Sequence, residues 1–234
     1  MNRRLLILFL APLILLFYRA SSTKSSWISE NINDTIFISS IYNELSNTLK
    51  ISEDALRLSI KGFAHLKQKN LLKNDSLISI IDFSKPSYEE RLYIIDLKNR
   101  KTMKKSLVAH GINSGIVYAK KFSNQQYSNK SSLGLYLTLN TYEGKHGYSL
   151  RLEGMDKNIN NNVKKRAIVV HGAKYANEKY IKENGRLGRS FGCPAIPEYL
   201  SKEIIDLIKE GSCLFIYHPS IRNLKSHYSQ GIQN

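Results

Sequence analysis

The chain has 234 residues, 42% of them hydrophobic and 23% charged, so it can bury a core without disulfide or metal staples. Its formal net charge of +16 indicates either an anionic partner or lysines spread over a solvated surface. No block of five or six like charges and no nucleic-acid-binding motif accompanies that charge, so we expect no nucleic acid partner.

The N-terminus has the layout of an export signal. Two arginines within residues 2–4 precede an uncharged, almost wholly apolar run over residues 5–17. This run is shorter than the ~20 residues of a membrane span. We therefore expect a signal peptide or an uncleaved signal anchor over residues 1–22, followed by a linker over residues 23–40. The protein is then exported to the periplasm or cell envelope, and contacts the membrane only through an uncleaved N-terminal segment.

The rest of the chain changes from helical to strand-like patterns. Apolar residues at helical spacing predict helices over residues 41–50 and 53–69, and Ser52 is a suitable N-cap for the second. Short Ile-, Leu- and Val-rich runs predict strands over residues 76–83, 91–97, 103–110, 133–142, 148–152, 167–170 and 213–217. A late helix is predicted over residues 200–209, and a polar tail over residues 220–234.

The order of these elements predicts the fold class. Helices come first, strands mostly follow strands, and one late helix precedes the final strand. Because strands that follow one another in the chain tend to pair antiparallel, we expect a mixed α+β, β-rich fold. Its N-terminal helices, residues 41–69, would pack on a mostly antiparallel or mixed sheet.

The residues that suggest chemistry lie in two stretches. The strand over residues 167–170 leads into His171 and Gly172, which would place the imidazole at a sheet edge and facing a cleft. A Ser-Phe-Gly-Cys turn follows at residues 190–193, and glycine before the cysteine permits a tight bend. A thiol next to a histidine is the minimal device for covalent acyl transfer. Arg189, beside the turn, would favour the reactive thiolate form of the cysteine.

Other interpretations of the two cysteines remain open. An exported protein can join Cys193 and Cys213 in a disulfide, or keep Cys193 as a buried, inert residue. No spacing of His, Cys and carboxylates suits a metal, so we expect no metal site.

The two stretches resemble the YkuD-type L,D-transpeptidase family, in particular the branch called the murein L,D-transpeptidase catalytic domain family. The resemblance extends over roughly residues 40–218. The matching stretches are residues 82–87, 109–111, 114–115, 122–124, 131–134, 144–150, 170–175 and 188–195.

This resemblance implies a YkuD-like catalytic fold over residues 41–219 and a cysteine-dependent L,D-transpeptidase that needs no cofactor. Cys193 would attack the diaminopimelate carbonyl of a peptidoglycan tetrapeptide stem, and the terminal D-Ala would leave. An acceptor amine would then resolve the thioester, giving a 3→3 cross-link or an exchanged terminal D-amino acid. His171 would be the general base, oriented by the backbone carbonyl of Gly172. With water as acceptor the same site would be an L,D-carboxypeptidase, and with a disulfide at Cys193 the domain would only bind peptidoglycan.

The turn is also expected to stabilise the oxyanion. Backbone N–H groups near Gly192 and Cys193 would hold the negative oxygen, and the Ser190 hydroxyl would shape the turn. The sequence departs from the wider family at Phe191, which often is His there. It departs again at residues 194–195, where Pro and Ala replace an apolar residue and Arg.

Several other residues are expected to contact the substrate. Arg186 or Arg189 would supply the cation for a stem carboxylate that those departures remove. Residues 174–187, which include Tyr175, form either a lid or a solvated loop. His146 lies beside a glycine, as does His110. We assign His146 to substrate binding, with a structural hydrogen-bonding role as the alternative for either histidine.

Overall fold

The protein is described by a computed structural model over residues 41, 43–45 and 49–224. The predicted export segment and the linker lie outside the described residues. Among the described residues, no helix is both long and apolar enough to cross a bilayer. Residues 41, 43–45 and 49 are helical, in agreement with the first predicted helix.

The second predicted helix is present as α1, Glu53–Gln68. The hydroxyl of Ser52 accepts the N–H of Ala55 at 3.2 Å, so the N-cap is the residue that the sequence indicates. The apolar face of α1 is buried against two strands in the middle of the sheet. Gly62 permits this close approach, because a Cβ there would lie 2.8 Å from Leu135.

Eight strands and two further helices follow. The strands are β1 (Leu77–Asp82), β2 (Leu92–Asp96), β3 (Lys101–Ser106), β4 (Gly134–Gly144), β5 (Gly147–Gly154), β6 (Val169–Ala173), β7 (Ala195–Pro197) and β8 (Cys213–Tyr217). The helices are α2 (Glu178–Asn184) and α3 (Glu198–Ile208). A 3₁₀ helix, Pro219–Leu224, ends the described chain, so the first residues of the predicted polar tail are ordered and the rest lie outside the description.

All eight strands form one sheet in the order β3-β2-β1-β8-β4-β5-β6-β7. The β1–β8 and β6–β7 pairs are parallel, and the other five pairs are antiparallel. The predicted fold class, a β-rich mixed fold with N-terminal helices on a mostly antiparallel sheet, is confirmed.

The segment that follows the edge strand β3 pairs with the opposite edge strand, β7. The N–H of Ala109, just beyond β3, donates to the carbonyl of Ala195 in β7 at 2.7 Å, and an isolated bridge joins Gly111 to Ser190. The segment after β3 therefore pairs with the opposite edge of the sheet. As a result, backbone pairing connects the turn before β7 to the segment after β3.

Three local predictions are wrong. β6 does not stop before His171 but continues to Ala173, because β7 supplies a parallel partner for its second half. His171 therefore lies within the sheet and not at its edge. β7 and α2 were both missed: β7 has only three residues, and α2 has no buried residue and hence no apolar periodicity to detect.

Candidate active site

The nucleophile turn, residues 190–193, is held by a serine hydroxyl. Oγ of Ser190 donates to the carbonyl of Cys193 at 2.6 Å and accepts the N–H of Gly192 at 3.0 Å. Gly192 has φ +126°, a conformation that strongly favours glycine. The hydroxyl is thus committed to shaping the turn, and the Gly192 N–H is occupied by it.

The neighbouring segment 109–115 fixes the turn from outside. The Ser190 N–H donates to the carbonyl of His110 at 3.0 Å, and its carbonyl accepts the N–H of Ile112 at 2.7 Å. Oγ of Ser131 donates to the carbonyl of Gly192 at 3.2 Å. These bonds tie three of the turn's polar backbone groups to its surroundings, so the cysteine is presented from a rigid support.

His110 is part of that support and not of the cleft. Its ring is fully buried, Nδ1 lies 2.8 Å from a guanidinium nitrogen of Arg91, and Nε2 lies 3.2 Å from the carbonyl of Gly115. Burial, and then the charge of Arg91, lowers the pKa of His110 to about 3. His110 is therefore neutral, accepts from the guanidinium at Nδ1 and donates from Nε2 to the carbonyl.

The strand register sets the positions of His171 and Cys193 relative to each other. His171 of β6 pairs with Ala195 of β7, two residues after Cys193, and the N–H of Val169 lies 3.5 Å from the sulfur. Nδ1 of His171 lies 2.9 Å from the carbonyl of Gly172. Because a carbonyl can only accept, Nδ1 carries the proton and Nε2 is left with the free lone pair.

The environment favours a neutral thiol beside a neutral imidazole. Burial raises the pKa of Cys193, and the Val169 N–H and the charges of Arg166 and Lys145 offset this only in part. Burial lowers the pKa of His171, the hydrogen bond to the Gly172 carbonyl acts in the opposite direction, and nearby positive charge lowers it further. At neutral pH the thiol therefore keeps its proton and the imidazole is free to accept one.

Arg166 is the cation whose charge most lowers the pKa of the Cys193 thiol, and sequence reasoning missed it. Its guanidinium donates to the carbonyls of Ser123 and Lys130 and to the hydroxyls of Ser128 and Ser132. These acceptors are all neutral. The guanidinium therefore keeps its full charge beside the turn, where it favours ionisation of the thiol.

The position of this arginine relative to the turn follows from two close approaches. A Cβ built on Gly192 would lie 3.2 Å from a terminal nitrogen of Arg166. The sulfur of Cys193 lies 3.8 Å from the carbonyl of Ala167, the residue that follows Arg166. The only sequence signal for such a role is a basic residue shortly before the strand that carries His171, a position that any surface lysine could share.

The two arginines predicted to bind a carboxylate already make backbone contacts. A guanidinium nitrogen of Arg189 donates to the carbonyls of Ile112 and Gly115 at 3.3 and 3.2 Å. Arg186 donates to the carbonyl of Leu187 at 2.8 Å. Both side chains are partly exposed, so their remaining N–H groups are open to a ligand.

The segment 174–187 is ordered and includes α2. Asn177 caps α2 and Gly185 ends it in the left-handed conformation. Tyr175 lies before the helix, and its carbonyl accepts the N–H of Gly188 at 2.8 Å. Burial, and then the charge of Cys193, raises the pKa of Tyr175 to about 12, so its phenol stays protonated at neutral pH.

The hairpin between β4 and β5 brings His146 to the site. Its ring is stacked on that of His171, with centroids 4.4 Å apart and planes 22° apart. His171 is only 2% exposed, whereas His146 lies at the surface. The sequence alone suggested a cleft-lining or structural histidine, and the structure places it directly on the other imidazole.

The second cysteine is remote from this site. Cys213 lies in β8, fully buried, and β4, β5 and β6 separate it from β7, at about 4.8 Å for each strand. A disulfide needs Cα atoms within about 7 Å. Both cysteines are free, so the bridge considered as an alternative is not formed. Within the described part of the chain, no three His, Cys, Asp or Glu side chains gather as a metal site.

The solved structures that resemble the chain include several from L,D-transpeptidases. An L,D-transpeptidase from Mycobacterium smegmatis is 10% identical with a TM-score of 0.39, covering 61% of this chain and 59% of that one. The helical cell shape determining protein Pgp2 from Campylobacter jejuni is 11% identical with a TM-score of 0.42, covering 67% and 53%. The chain thus spans less than two thirds of either protein. No curated protein sequence matches it.

The family assignment is independent of those structures. Residues 47–217 match the family described as the L,D-transpeptidase catalytic domain, YkuD_2. The match includes the nucleophile turn, the β6 histidine and the hairpin that covers it, and extends over well over half of the sequence. This chain therefore belongs to the L,D-transpeptidase catalytic domain family.

Proposed function

We propose that this protein is an exported L,D-transpeptidase that uses Cys193 as its nucleophile on peptidoglycan tetrapeptide stems. The observation that supports it most is the β6–β7 register. In this register Cys193 lies two residues before the β7 partner of His171, whose Nδ1 is bound to the Gly172 carbonyl and whose Nε2 keeps its lone pair. Membership of a transpeptidase family makes acyl transfer the reaction that this pair would perform.

The first step is acylation of the enzyme. As the sulfur of Cys193 attacks the diaminopimelate carbonyl of the donor stem, its proton passes to Nε2 of His171. The tetrahedral intermediate collapses when the C–N bond to the terminal D-Ala breaks. The imidazolium returns the proton to the leaving amine, and a thioester remains on the cysteine.

The second step decides between cross-linking and trimming. An acceptor amine loses its proton to His171 and attacks the thioester, giving a 3→3 cross-link or a new terminal D-amino acid and a free thiol. If water attacks instead, the product is a tripeptide and the enzyme is an L,D-carboxypeptidase. The choice depends on which acceptor reaches the thioester, and analysis of the products decides it.

The oxyanion requires donors that the turn leaves available. Because the N–H of Gly192 is bound to Ser190, we assign the role to the N–H of Cys193 itself. The phenol of Tyr175, which its raised pKa keeps protonated, is the second donor that we propose. Arg186 and Arg189 are suited to the stem carboxylate with the N–H groups that their backbone contacts leave open.

We also propose that the N-terminal segment exports the protein. Export through the N-terminal segment would bring the domain to the cell envelope, where family members meet peptidoglycan. A non-catalytic binding module is the weaker alternative, because the disulfide that would block the nucleophile is not formed.

Product analysis tests the proposal. The soluble protein is incubated with a purified disaccharide-tetrapeptide, and the products are weighed by mass spectrometry beside those of Cys193→Ala. A cross-linked dimer that depends on Cys193 supports the transpeptidase, and a tripeptide identifies the carboxypeptidase. Unchanged substrate with the wild type, while a known L,D-transpeptidase converts it, contradicts both.

A further inference from the structure

The β4–β5 hairpin holds its tip in a fixed position. Lys145 and His146 are the two residues between the strands, and Gly144 pairs directly with Gly147 beneath them. Gly147, which follows the turn, has φ +69°, a left-handed conformation that favours glycine. The place of His146 is therefore set by backbone pairing and not by a flexible loop.

The hairpin also fixes the tip relative to the base. Ser149 of β5, which comes three residues after His146 in the chain, pairs with His171 of β6. The two imidazoles then lie face to face at 4.4 Å between centroids. This distance is at the short end of the range for offset-stacked aromatic pairs. The contact covers one face of the buried His171 ring.

The stack supplies a restraint that the hydrogen bond does not. A single bond from Nδ1 of His171 to the carbonyl of Gly172 still allows the ring to tilt around it. A second ring lying flat on one face opposes that tilt and excludes water from the face. Transfer of a proton between Cys193 and Nε2 depends on the direction of the lone pair, so a tilted ring transfers it less well.

On the basis of the function proposed above, we propose that His146 is a positioning residue that holds the imidazole of His171 in the plane from which Nε2 reaches Cys193. His146 would act through its contact with the His171 ring and not through contact with the substrate. The role differs from the substrate contact that the sequence suggested. It also makes the hairpin tip part of the catalytic apparatus, although His146 lies far before both His171 and Cys193 in the sequence.

Local charge is consistent with this role. Burial lowers the pKa of His171 and the charge of Lys145 lowers it further, so the imidazole is uncharged at neutral pH. Burial and the charge of Lys145 also lower the pKa of His146, so the outer ring is itself uncharged at neutral pH. The titratable groups around His171 are His146 and Lys145 on the hairpin and Cys193, two residues before the β7 partner of His171. The backbone of Glu198 in α3 lies against the neighbouring Gly172.

Three variants separate positioning from other roles. His146→Ala removes the stacked ring, and His146→Phe keeps a flat ring but no nitrogen. Glu143→Ala, on the exposed end of β4, alters the same hairpin without touching the stack. Each is measured for kcat and KM with the tetrapeptide donor, and for the NMR resonances and titration of the His171 ring.

The positioning role predicts a specific pattern. His146→Ala lowers kcat by about 10-fold while KM changes less than about twofold, because only the transition-state geometry is lost. The His171 resonances move as the ring-current shift disappears, and its titration midpoint rises toward the ordinary value. His146→Phe restores both kcat and the ring-current shift, and Glu143→Ala changes neither.

Other outcomes overturn the inference. A raised KM with unchanged kcat in His146→Ala would mean that the ring binds substrate, and unchanged kinetics would mean that the stack has no role. The NMR measurement does not depend on the substrate. If the wild type is inactive on peptidoglycan stems, the proposed function fails separately, and His171 resonances that are identical in wild type and His146→Ala would still refute the stack.

Discussion

The carbonyl oxygen of Gly172 accepts the Nδ1–H of His171 at 2.9 Å, so a backbone group fixes the tautomer of the neighbouring imidazole. A backbone acceptor cannot be removed by changing its side chain, and it carries no charge to raise the pKa of the ring strongly. The base therefore stays neutral, with Nε2 free to take a proton. This pairing underlies the predictions that follow.

Substitution of the base tests its role directly. His171→Ala should reduce the rate of acyl-enzyme formation by at least ~10²-fold, because no other group beside the sulfur would take its proton. Stopped-flow measurement with the donor stem gives this rate, and a thermal melt shows whether the fold is retained. A fully active His171→Ala protein would remove the base assignment.

The pH profile follows from the lowered pKa of His171. The neutral ring is the active form, and it is lost only when the pH falls through a pKa below the ordinary 6.5. We therefore expect kcat/KM to be level from about pH 7 upward and to decline only under acid conditions. An acid limb centred above pH 7 would be inconsistent with the buried, neutral imidazole.

The state of the thiol is a separate prediction. Because burial raises the pKa of Cys193, alkylation by iodoacetamide should be slow at pH 7 and accelerate only under alkaline conditions, where the thiolate forms. The rate is followed by mass spectrometry from pH 5 to 10. Rapid alkylation at pH 6 would instead indicate a preformed thiolate–imidazolium pair.

Arg166 should contribute measurably to that thiol pKa. Arg166→Gln removes the charge next to the turn, so alkylation at pH 8 should slow by about three- to tenfold. Arg166→Lys retains the charge and is the matched variant. If Arg166→Lys slows alkylation as much as Arg166→Gln, the effect comes from lost hydrogen bonds to the 123–132 segment and not from charge.

Position 192 of the nucleophile turn should tolerate no side chain. In Gly192→Ala the new Cβ would lie 2.9 Å from the carbonyl of Lys130 at φ +126°, so we expect a loss of about 1–3 kcal/mol in the free energy of unfolding and impaired acylation. Gly185 provides the control, because it also has positive φ but nothing within 4 Å. Equal effects of Gly185→Ala and Gly192→Ala on acylation would contradict the proposed packing.

Carboxylate recognition by the two arginines is tested by charge reversal. Arg186→Glu and Arg189→Glu should each raise KM for the donor by about tenfold, with a smaller effect on kcat, because uniform binding is lost. Lys182→Glu makes the same charge change on the exposed face of α2 and should have little effect. Unchanged donor kinetics in both arginine variants would assign the carboxylate to another cation.

Much of the fold was accessible from the sequence because its elements follow strong local rules. The periodicity and N-cap of α1 are local, as are the apolar runs of β1, β2 and β8, so these were predicted to within a few residues. β7 could not be predicted in this way. Its three residues have no pattern of their own and are a strand only because β6 and Ala109 lie on either side.

The candidate site shows the same contrast between local patterns and long-range contacts. The cysteine, the histidine and the following glycine could be proposed from the sequence because they lie within recognisable stretches. The stack of His146 on His171 and the approach of Arg166 to the turn depend on contacts across 25 or more positions, which no local pattern encodes. The expected edge position of His171 was wrong for the same reason, since it required knowledge of β7.

The most direct test of the central claim is the intact mass of the protein during turnover of a tetrapeptide donor. We predict a covalent adduct with the mass of the stem minus D-Ala, mapped by peptide fragmentation to Cys193 and missing from Cys193→Ala. A cross-linked or trimmed product without any adduct at that residue, or with equal turnover by Cys193→Ala, would contradict the account.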